Sequence, residues 1–324
     1  MRAVICSRLD GPAALAIGDL PRPALGPGQV RIAVKAAGLN FADTLIVKGL
    51  YQVKPPLPFT PGLECAGVVA EVAPGVMNVK QGDRVMATVS YGAFAEEVAC
   101  DAGALFPMPD ALDFVTAAGF PVVYGSAHMG LDRRGALKPG ESLLVLGAAG
   151  GLGLAAVEIG KAMGATIIAA ARGAARLEKV RAHGADHVID YEADDLRARV
   201  KAITQDRGVD VAFDPVGGDM FDTALRCLGW EGRIVVAGFA AGRIPHIPAN
   251  LLLVKNIAAI GVYWGAYRTR DPAALRASFA TLARWLAEGR LKPHVSLTFP
   301  LEQAPEAMEA LLSRATTGKI VLTV

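Results

Sequence analysis

The run Leu143–Gly153, LLVLGAAGGLG, is the segment whose residue types and spacing most clearly specify chemistry. A short apolar stretch leads into Gly150-Gly151-Leu152-Gly153, and a helical pattern opens directly behind it. Glycine at these points lets the backbone approach a pyrophosphate and lets the helix pack closely on its strand. The helix N-terminus then turns unpaired N–H groups toward the phosphate charge. Tight turns need glycine too, so the strand–turn–helix context and the β–α units that follow carry the reading. On that context Ala149, Gly150, Gly151, Leu152 and Gly153 form a dinucleotide cradle. About twenty residues further on, NAD sites place an acidic residue for the ribose 2′-OH. This chain has Ala169-Ala170-Ala171-Arg172 and then Arg176, with no Asp or Glu before Glu178. Two arginines can clamp a 2′-phosphate, which favours NADPH over NADH; the other reading is a pair of solvated arginines at a helix start.

Other reactive residue types are scattered. Cys6, Cys65, Cys100 and Cys227 show no metal or redox spacing, so reduced, buried thiols in a cytosolic protein are expected. The five histidines (128, 183, 187, 246, 294) form no ligand pair at metal spacing. A formal net charge of +2 provides no basic field for nucleic acid and no acidic tail. The opening MRAVICSRLDGPAAL lacks the sustained apolar core of a signal peptide, and runs such as Ala165–Ala171 and Leu251–Val254 are too short to span a bilayer. A cytoplasmic protein without membrane or nucleic-acid partners is expected.

The elements that must position the glycine-rich turn follow from the change of rhythm along the chain. With 52% hydrophobic and 20% charged residues over 324 positions, there is material for about two cores. The first part reads as short strands at Val30–Lys35, Gly67–Val72, Arg84–Val89 and Ala95–Ala99, between turns such as LGPG and APG. From about Val122, strands alternate with helices. Strands are expected at Ser142–Leu146, Ala165–Ala170, His187–Ile189, Val209–Phe213, Gly232–Ala237 and Ile257–Val262. Helices fall between them at Leu152–Met163, Ala174–Ala182, Ala193–Thr204 and Met220–Cys227. Such alternation specifies a parallel, doubly wound sheet. Asp271-Pro272 opens an amphipathic helix to about Ala287. A strand, a helix at Pro305–Ser313 and the strand Ile320–Val324 follow, and this tail is expected to return to the first domain.

Taken together, Gly140-Glu141, Leu144, Ala148-Ala149-Gly150-Gly151-x-Gly153 and Lys161 resemble the quinone oxidoreductase (zeta-crystallin-like) branch of the medium-chain dehydrogenase/reductase superfamily, whose members lack zinc. Glu158 departs from that pattern, which usually has Gln. The resemblance extends to GLNFxDT (38–44), PGxExxG (61–67), YGSA (124–127), DxVGG (214–218) and GKIVL (318–322). It implies an α/β protein with a GroES-like, mostly-β catalytic domain over 1–122, a Rossmann NADPH-binding domain over 123–266 and a C-terminal segment, 267–324, completing the catalytic domain.

The resemblance also implies roles. Zinc-dependent members ligate a catalytic metal through Cys, His and Cys; Asn40, Leu63 and Ala118 stand at the matching positions here. An amide, an isobutyl group and a methyl cannot form that site. Without a Lewis acid a conjugated acceptor, a quinone or α,β-unsaturated carbonyl, is easier to reduce than a simple ketone, because conjugation spreads the developing charge. By position match Asn40, Asp43 and Tyr51 line the substrate cleft. Asn40 donates an N–H to the acceptor oxygen, Tyr51 hydrogen-bonds nearby or supplies a proton, and Asp43 orients neighbours. A turn amide and a rim aromatic are the structural alternatives for Asn40 and Tyr51. Leu45 stands where many relatives carry tyrosine, which leaves an apolar enone or acyl-type substrate open. Glu64 reads as structural support, and Lys319 as an exposed strand residue or a phosphate contact.

On the cofactor side, Arg176 and Tyr191 match positions that hold the adenosine 2′-phosphate, while Arg172 stands where relatives often have Gly. Gly238, Phe239, Asn250 and Lys255 are expected near the nicotinamide half. The alternatives are an enoyl-thioester reductase, for which Lys48 and Lys54 are candidate carrier contacts, and a non-catalytic, NADPH-binding crystallin-like protein. A homodimer through the Rossmann sheet edge near Ile257–Val262 is a further implication.

Overall fold

The strand Gln29–Leu39, 11 residues long, is the spine of the first half of the chain. In the computed structural model, which describes residues 1–324, it pairs antiparallel with Glu64–Val72 on one side. Its other side is shared: Gln29–Ala33 pair with Glu97–Asp101, and Ala36–Leu39 pair with the last strand, Lys319–Thr323. The C-terminal strand thus fills the part of the edge that Glu97–Asp101 leaves open. The seven-stranded sheet runs in the order Val295–Pro300, Lys319–Thr323, Gln29–Leu39, Glu64–Val72, Arg84–Thr88, Leu105–Pro107, with Glu97–Asp101 as the branch. Its inward residues, among them Val30, Ile32, Val69, Val85, Ile320 and Leu322, form one apolar core with Phe94.

The middle of the chain builds a six-stranded parallel sheet. Numbered along this part of the chain its strands are Ser142–Val145, Thr166–Ala171, His187–Asp190, Val209–Asp214, Leu228–Val236 and Ala258–Gly261, and they lie in the order 3-2-1-4-5-6. That is the doubly wound dinucleotide-binding order, with the direction of winding reversing between the first and fourth strands. Several element ends differ from the sequence expectation for local reasons. The helix expected from Ala193 begins at Leu196, because the Asp195 carboxylate accepts the Ala198 N–H and fixes the cap there. Gln205 at its C-terminus turns left-handed, with φ of 52°.

The chain divides into two units, Met1–Val122 with Pro293–Val324, and Val123–Lys292. The segment 267–324 therefore does not act as one piece. Only its strands Val295–Pro300 and Lys319–Thr323 and the helix Ala304–Leu312 belong with the first unit. The helix Pro272–Ala287 stays with the second, and its apolar face explains why. Leu275, Phe279, Leu282 and Trp285 are buried, Phe279 packs on Trp264, and Ser278 bonds His128 at 2.9 Å. Periodicity identifies that face, but the partner it covers is set by tertiary packing. No helix is long and apolar enough to cross a membrane.

Candidate active site and cofactor-binding residues

In the first unit the strand Gln29–Leu39 delivers the chain to Asn40, which is buried and precedes the short helix Phe41–Ile46. The Asp43 carboxylate reaches back to accept the Asn40 backbone N–H at 2.8 Å. The Asn40 side chain is held from two sides. Its Oδ1 accepts from Lys319 Nζ at 2.7 Å, and its Nδ2 donates to Glu64 Oε1 at 2.8 Å. Lysine can only donate and a carboxylate can only accept, so these partners dictate which way the amide faces. The second Nδ2 hydrogen has only a 3.4 Å contact, to the Gly38 carbonyl.

Lys319 completes its coordination with Leu39 O at 2.6 Å and Glu64 Oε1 at 2.8 Å. Glu64 uses its other oxygen to accept the Val122 N–H at 2.8 Å. Glu64 is fully buried and Lys319 is 6% exposed, so their charges are compensated internally. Lys319 is neither of the things the sequence suggested, an exposed strand residue or a phosphate contact. Its strand places it opposite the end of Gln29–Leu39, where Ile320 pairs with Leu39, and the side chain turns inward. Gly38 makes room: a Cβ there would lie 2.3 Å from Ala118 O and 2.5 Å from Glu64 Oε1. Gly119, next to Ala118, faces the Lys319 stem in the same way, its Cβ position lying 3.3 Å from Lys319 Cβ.

Asp43 is fully buried, and its Oδ1 accepts no hydrogen bond of good geometry. Burial pushes its carboxyl from 3.8 up to about 7, against the Asn40 and Gly62 N–H groups and Lys319, which favour the anion. Tyr51 packs half-buried against the apolar core of this unit. Leu63 and Ala118 are buried apolar side chains. No three His, Cys, Asp or Glu side chains cluster in a way that could hold a metal ion.

In the second unit the glycine-rich turn leaves the first strand of the parallel sheet, at the point where winding reverses. The helix Gly151–Ala162 begins behind Gly150, and no side chain caps its first N–H groups. A Cβ on Gly153 would meet Gly147 O at 2.3 Å and Ala148 Cα at 2.8 Å, so helix and turn touch backbone to backbone. A Cβ on Gly160 would sit 2.5 Å from Leu143, which keeps the helix down on its strand. A helix start with free N–H donors over a turn of glycine and alanine fits a pyrophosphate. Beside it, the Asp214 carboxylate accepts the Val216 and Gly217 N–H groups at 2.7 and 2.9 Å, and burial pushes it up to about 6. Gly238 and Phe239 lie against this turn: a Gly238 Cβ would meet Pro215 O at 3.1 Å, and Phe239 borders Gly217.

The residues expected further out behave differently from one another. Asn250 is exposed on the helix Ala249–Lys255. Lys255 is committed elsewhere, since its ammonium donates to the carbonyls of Arg226 and Leu228 at the end of the helix Gly218–Cys227. There a cation meets the carbonyl end of the helix dipole. Arg172 pairs with Glu192 at 3.3 Å. Arg176 is half-buried on the helix Ala174–Ala182, and Tyr191 packs its side chain on the apolar core of the second unit. Asp190 accepts the Gly173 and Glu192 N–H groups, both at 3.1 Å, and so fixes this corner. Sequence spacing did not reveal Asp190 or Glu192, because they arrive from the next strand. Glu158, the departure from Gln, is buried and accepts from Tyr124 Oη at 2.7 Å and from the Lys292 N–H at 3.0 Å, with His183 on its other oxygen.

Residues 151–288 match the family described as zinc-binding dehydrogenase, and residues 26–110 match the alcohol dehydrogenase GroES-like domain. Quinone oxidoreductase-like protein 2 of Rattus norvegicus is 42% identical over 324 positions, covering 99% of this chain and 92% of its own. The quinone oxidoreductase of Escherichia coli, solved in complex with NADPH, superposes with a TM-score of 0.93 at 32% identity over 100% of both chains. That of Thermus thermophilus, solved alone and with NADPH, superposes with a TM-score of 0.87 at 36% identity, again over 100% of both.

Two outcomes test the buried knot. Lys319→Met strands the Glu64 charge and is expected to cost about 3–5 kcal/mol of unfolding free energy. The double change with Glu64→Gln, which leaves no lone charge, recovers most of that in urea melts; equal loss in both variants rejects the charge account. Asp43 binds its proton more tightly folded than unfolded, so its contribution to stability falls as pH rises from about 4 to about 7. Asp43→Asn keeps the acceptor for Asn40 and removes the titration, so its urea midpoint declines less between those pH values than that of the unchanged protein.

Proposed function

This chain belongs to the quinone oxidoreductase branch of the medium-chain dehydrogenase/reductase superfamily, and from that premise we propose that it is a zinc-free, NADPH-dependent reductase of quinones or α,β-unsaturated carbonyls. The observation that carries this reading is the state of Asn40. It stands where zinc-dependent members have a metal-ligating cysteine, and its oxygen is already taken by a lysine ammonium. A metal placed there would meet a fixed positive charge and, in Asn40, Leu63 and Ala118, no donor set suited to it.

When bound, NADPH supplies a hydride from its nicotinamide ring. The chain's own residues then have separable tasks. The N–H groups at the start of Gly151–Ala162 and the glycines of the turn receive the pyrophosphate. Arg176, with Arg172 and Tyr191 at the same corner, receives the adenosine 2′-phosphate. Asn40 offers the acceptor oxygen the one N–H that has only the long contact to Gly38, and Lys319 and Glu64 keep it facing that way. Tyr51 supplies the proton that, together with the hydride, completes reduction of the conjugated acceptor. Asp43 orients the Asn40 backbone. The four cysteines form no disulfide and are buried, which suits a reducing compartment such as the cytoplasm.

We also place a second copy of the chain against the edge strand Ala258–Gly261. That strand pairs on one side only, and the nearby helix Ala249–Lys255 leaves Leu253 76% and Val254 61% exposed. Light scattering at micromolar concentration should give twice the chain mass, and a monomer would remove this part of the proposal.

The decisive assay follows NADPH oxidation with 1,4-benzoquinone, an alkenal and an enoyl-CoA, each repeated with NADH. Turnover with NADPH should survive a chelator, and Arg176→Ala should raise the KM for NADPH about tenfold or more while affecting NADH little. The preferred acceptor among the three identifies the subclass. NADPH binding without turnover on any of them would replace the reductase by a cofactor-binding protein without catalysis.

A further inference from the structure

The corner that follows the second and third strands of the parallel sheet carries charges of both signs. Asp190 pairs across the sheet with Ala171, so the chain leaving each strand passes the other at the same level. On one side follow Arg172 and then Gly173, with φ of 78°, which opens the helix bearing Arg176. On the other follow Tyr191 and Glu192. The backbone here is well fixed, since Tyr191 N–H donates to Ala171 O at 3.3 Å and Asp190 accepts the N–H groups of Gly173 and Glu192. Asp190 thereby commits both oxygens to the main chain. Glu192 does not: its carboxylate is 59% exposed and lies 3.3 Å from Nη1 of Arg172, itself 33% exposed.

We infer that Glu192 is a specificity-determining residue that competes with the adenosine 2′-phosphate for Arg172 and so holds down the preference for NADPH over NADH. The inference rests on the reading that this corner receives the adenosine ribose. Its physics is a choice between two anions for one guanidinium. A 2′-phosphate brings up to two negative charges and acceptor oxygens that a planar guanidinium can grip with two donors. With Glu192 in place, that grip requires the carboxylate to swing off Arg172 while remaining within a Debye length of the phosphate, where like charges repel. A cofactor that ends in a 2′-hydroxyl meets the opposite situation, because a carboxylate accepts a hydroxyl hydrogen. Breaking the exposed Arg172–Glu192 pair costs little by itself, so the pair acts on ligand choice more than on folding.

Calorimetric titration of the full chain with 2′,5′-ADP and with 5′-AMP separates these effects without any turnover. The proteins compared are the unchanged chain, Glu192→Gln, Arg172→Ala and the double variant, at about 50 mM salt. Glu192→Gln is expected to tighten 2′,5′-ADP about three- to fivefold and to leave 5′-AMP unchanged or weaker. The gain should shrink in about 0.5 M salt, and should fall below about twofold when Arg172 is alanine. If the unchanged chain prefers 2′,5′-ADP over 5′-AMP but Glu192→Gln leaves both affinities as they were, the inference is overturned while the NADPH reading stands. If neither the unchanged chain nor Glu192→Gln tells the two ligands apart, the corner does not bind the 2′-phosphate and both fall.

Discussion

Lys319 carries an ammonium group to a place where water cannot solvate it, and the first unit is arranged around the need to compensate it. Its acceptors come from separate stretches of chain: the carbonyl of Leu39, the amide oxygen of Asn40 and the carboxylate of Glu64. Glu64 in turn ties down the Val122 N–H, at the end of the unit's first stretch. An uncompensated buried charge costs several kcal/mol, so these segments come together in one way or the knot does not form. Register and charge agree in this. The antiparallel pairing of Ile320 with Leu39 puts Lys319 at the end of that ladder, and a slip of one residue would turn the ammonium to the opposite face of the sheet.

Space rather than charge is the governing constraint in the second unit. Gly153 and Gly160 sit where a single methyl would strike backbone or a core leucine, and the result is a helix seated directly on the strand it follows. That seating aims the uncapped N–H groups of Gly151–Ala162 beyond the end of the sheet. The buried Asp214 carboxylate performs a related task across the point where winding reverses, gathering the Val216 and Gly217 N–H groups into a fixed turn. Backbone donors lose little freedom when they bind, which suits them to a pyrophosphate that every nicotinamide cofactor shares. In the proposed reading, discrimination between cofactors falls to side chains at the corner of Arg172 and Glu192, where exposed charges can be exchanged without disturbing the core.

What was legible in the sequence divides along the same line. The glycine-rich turn and the alternation of strands and helices are local patterns, so the doubly wound sheet could be read from spacing alone. The helix Pro272–Ala287 was equally legible as an element, with its Asp271 cap, but not as a member of the second unit, because its partners Trp264 and His128 are chosen by packing. Lys319 was misread because nothing near it in sequence announces burial; its acceptors at Leu39 and Asn40 lie 280 and 279 positions away. Lys255 is a second case: its ammonium is used at the end of the helix Gly218–Cys227, a partner that no local pattern announces. In both lysines the sequence shows the charge and hides the acceptor.

Asp43 gives the knot a further property that bears on the proposed reduction. Lys319 and Glu64 cancel, so the net charge of the buried set depends on Asp43 alone. Ionised, it would leave a net negative charge beside Asn40, the residue assigned to an oxygen that becomes negative as hydride arrives. Burial moves the Asp43 carboxyl to about 7, so near neutral pH a substantial share of the molecules hold it uncharged. A neutral carboxyl still accepts the Asn40 N–H through its Oδ2, and so keeps the positioning contact while removing the opposing field. Zinc-dependent members meet the developing negative charge with a metal ion. In the proposed reduction that requirement falls to one oriented amide, beside a lysine already neutralised by its glutamate and an aspartate that burial leaves partly uncharged near neutral pH.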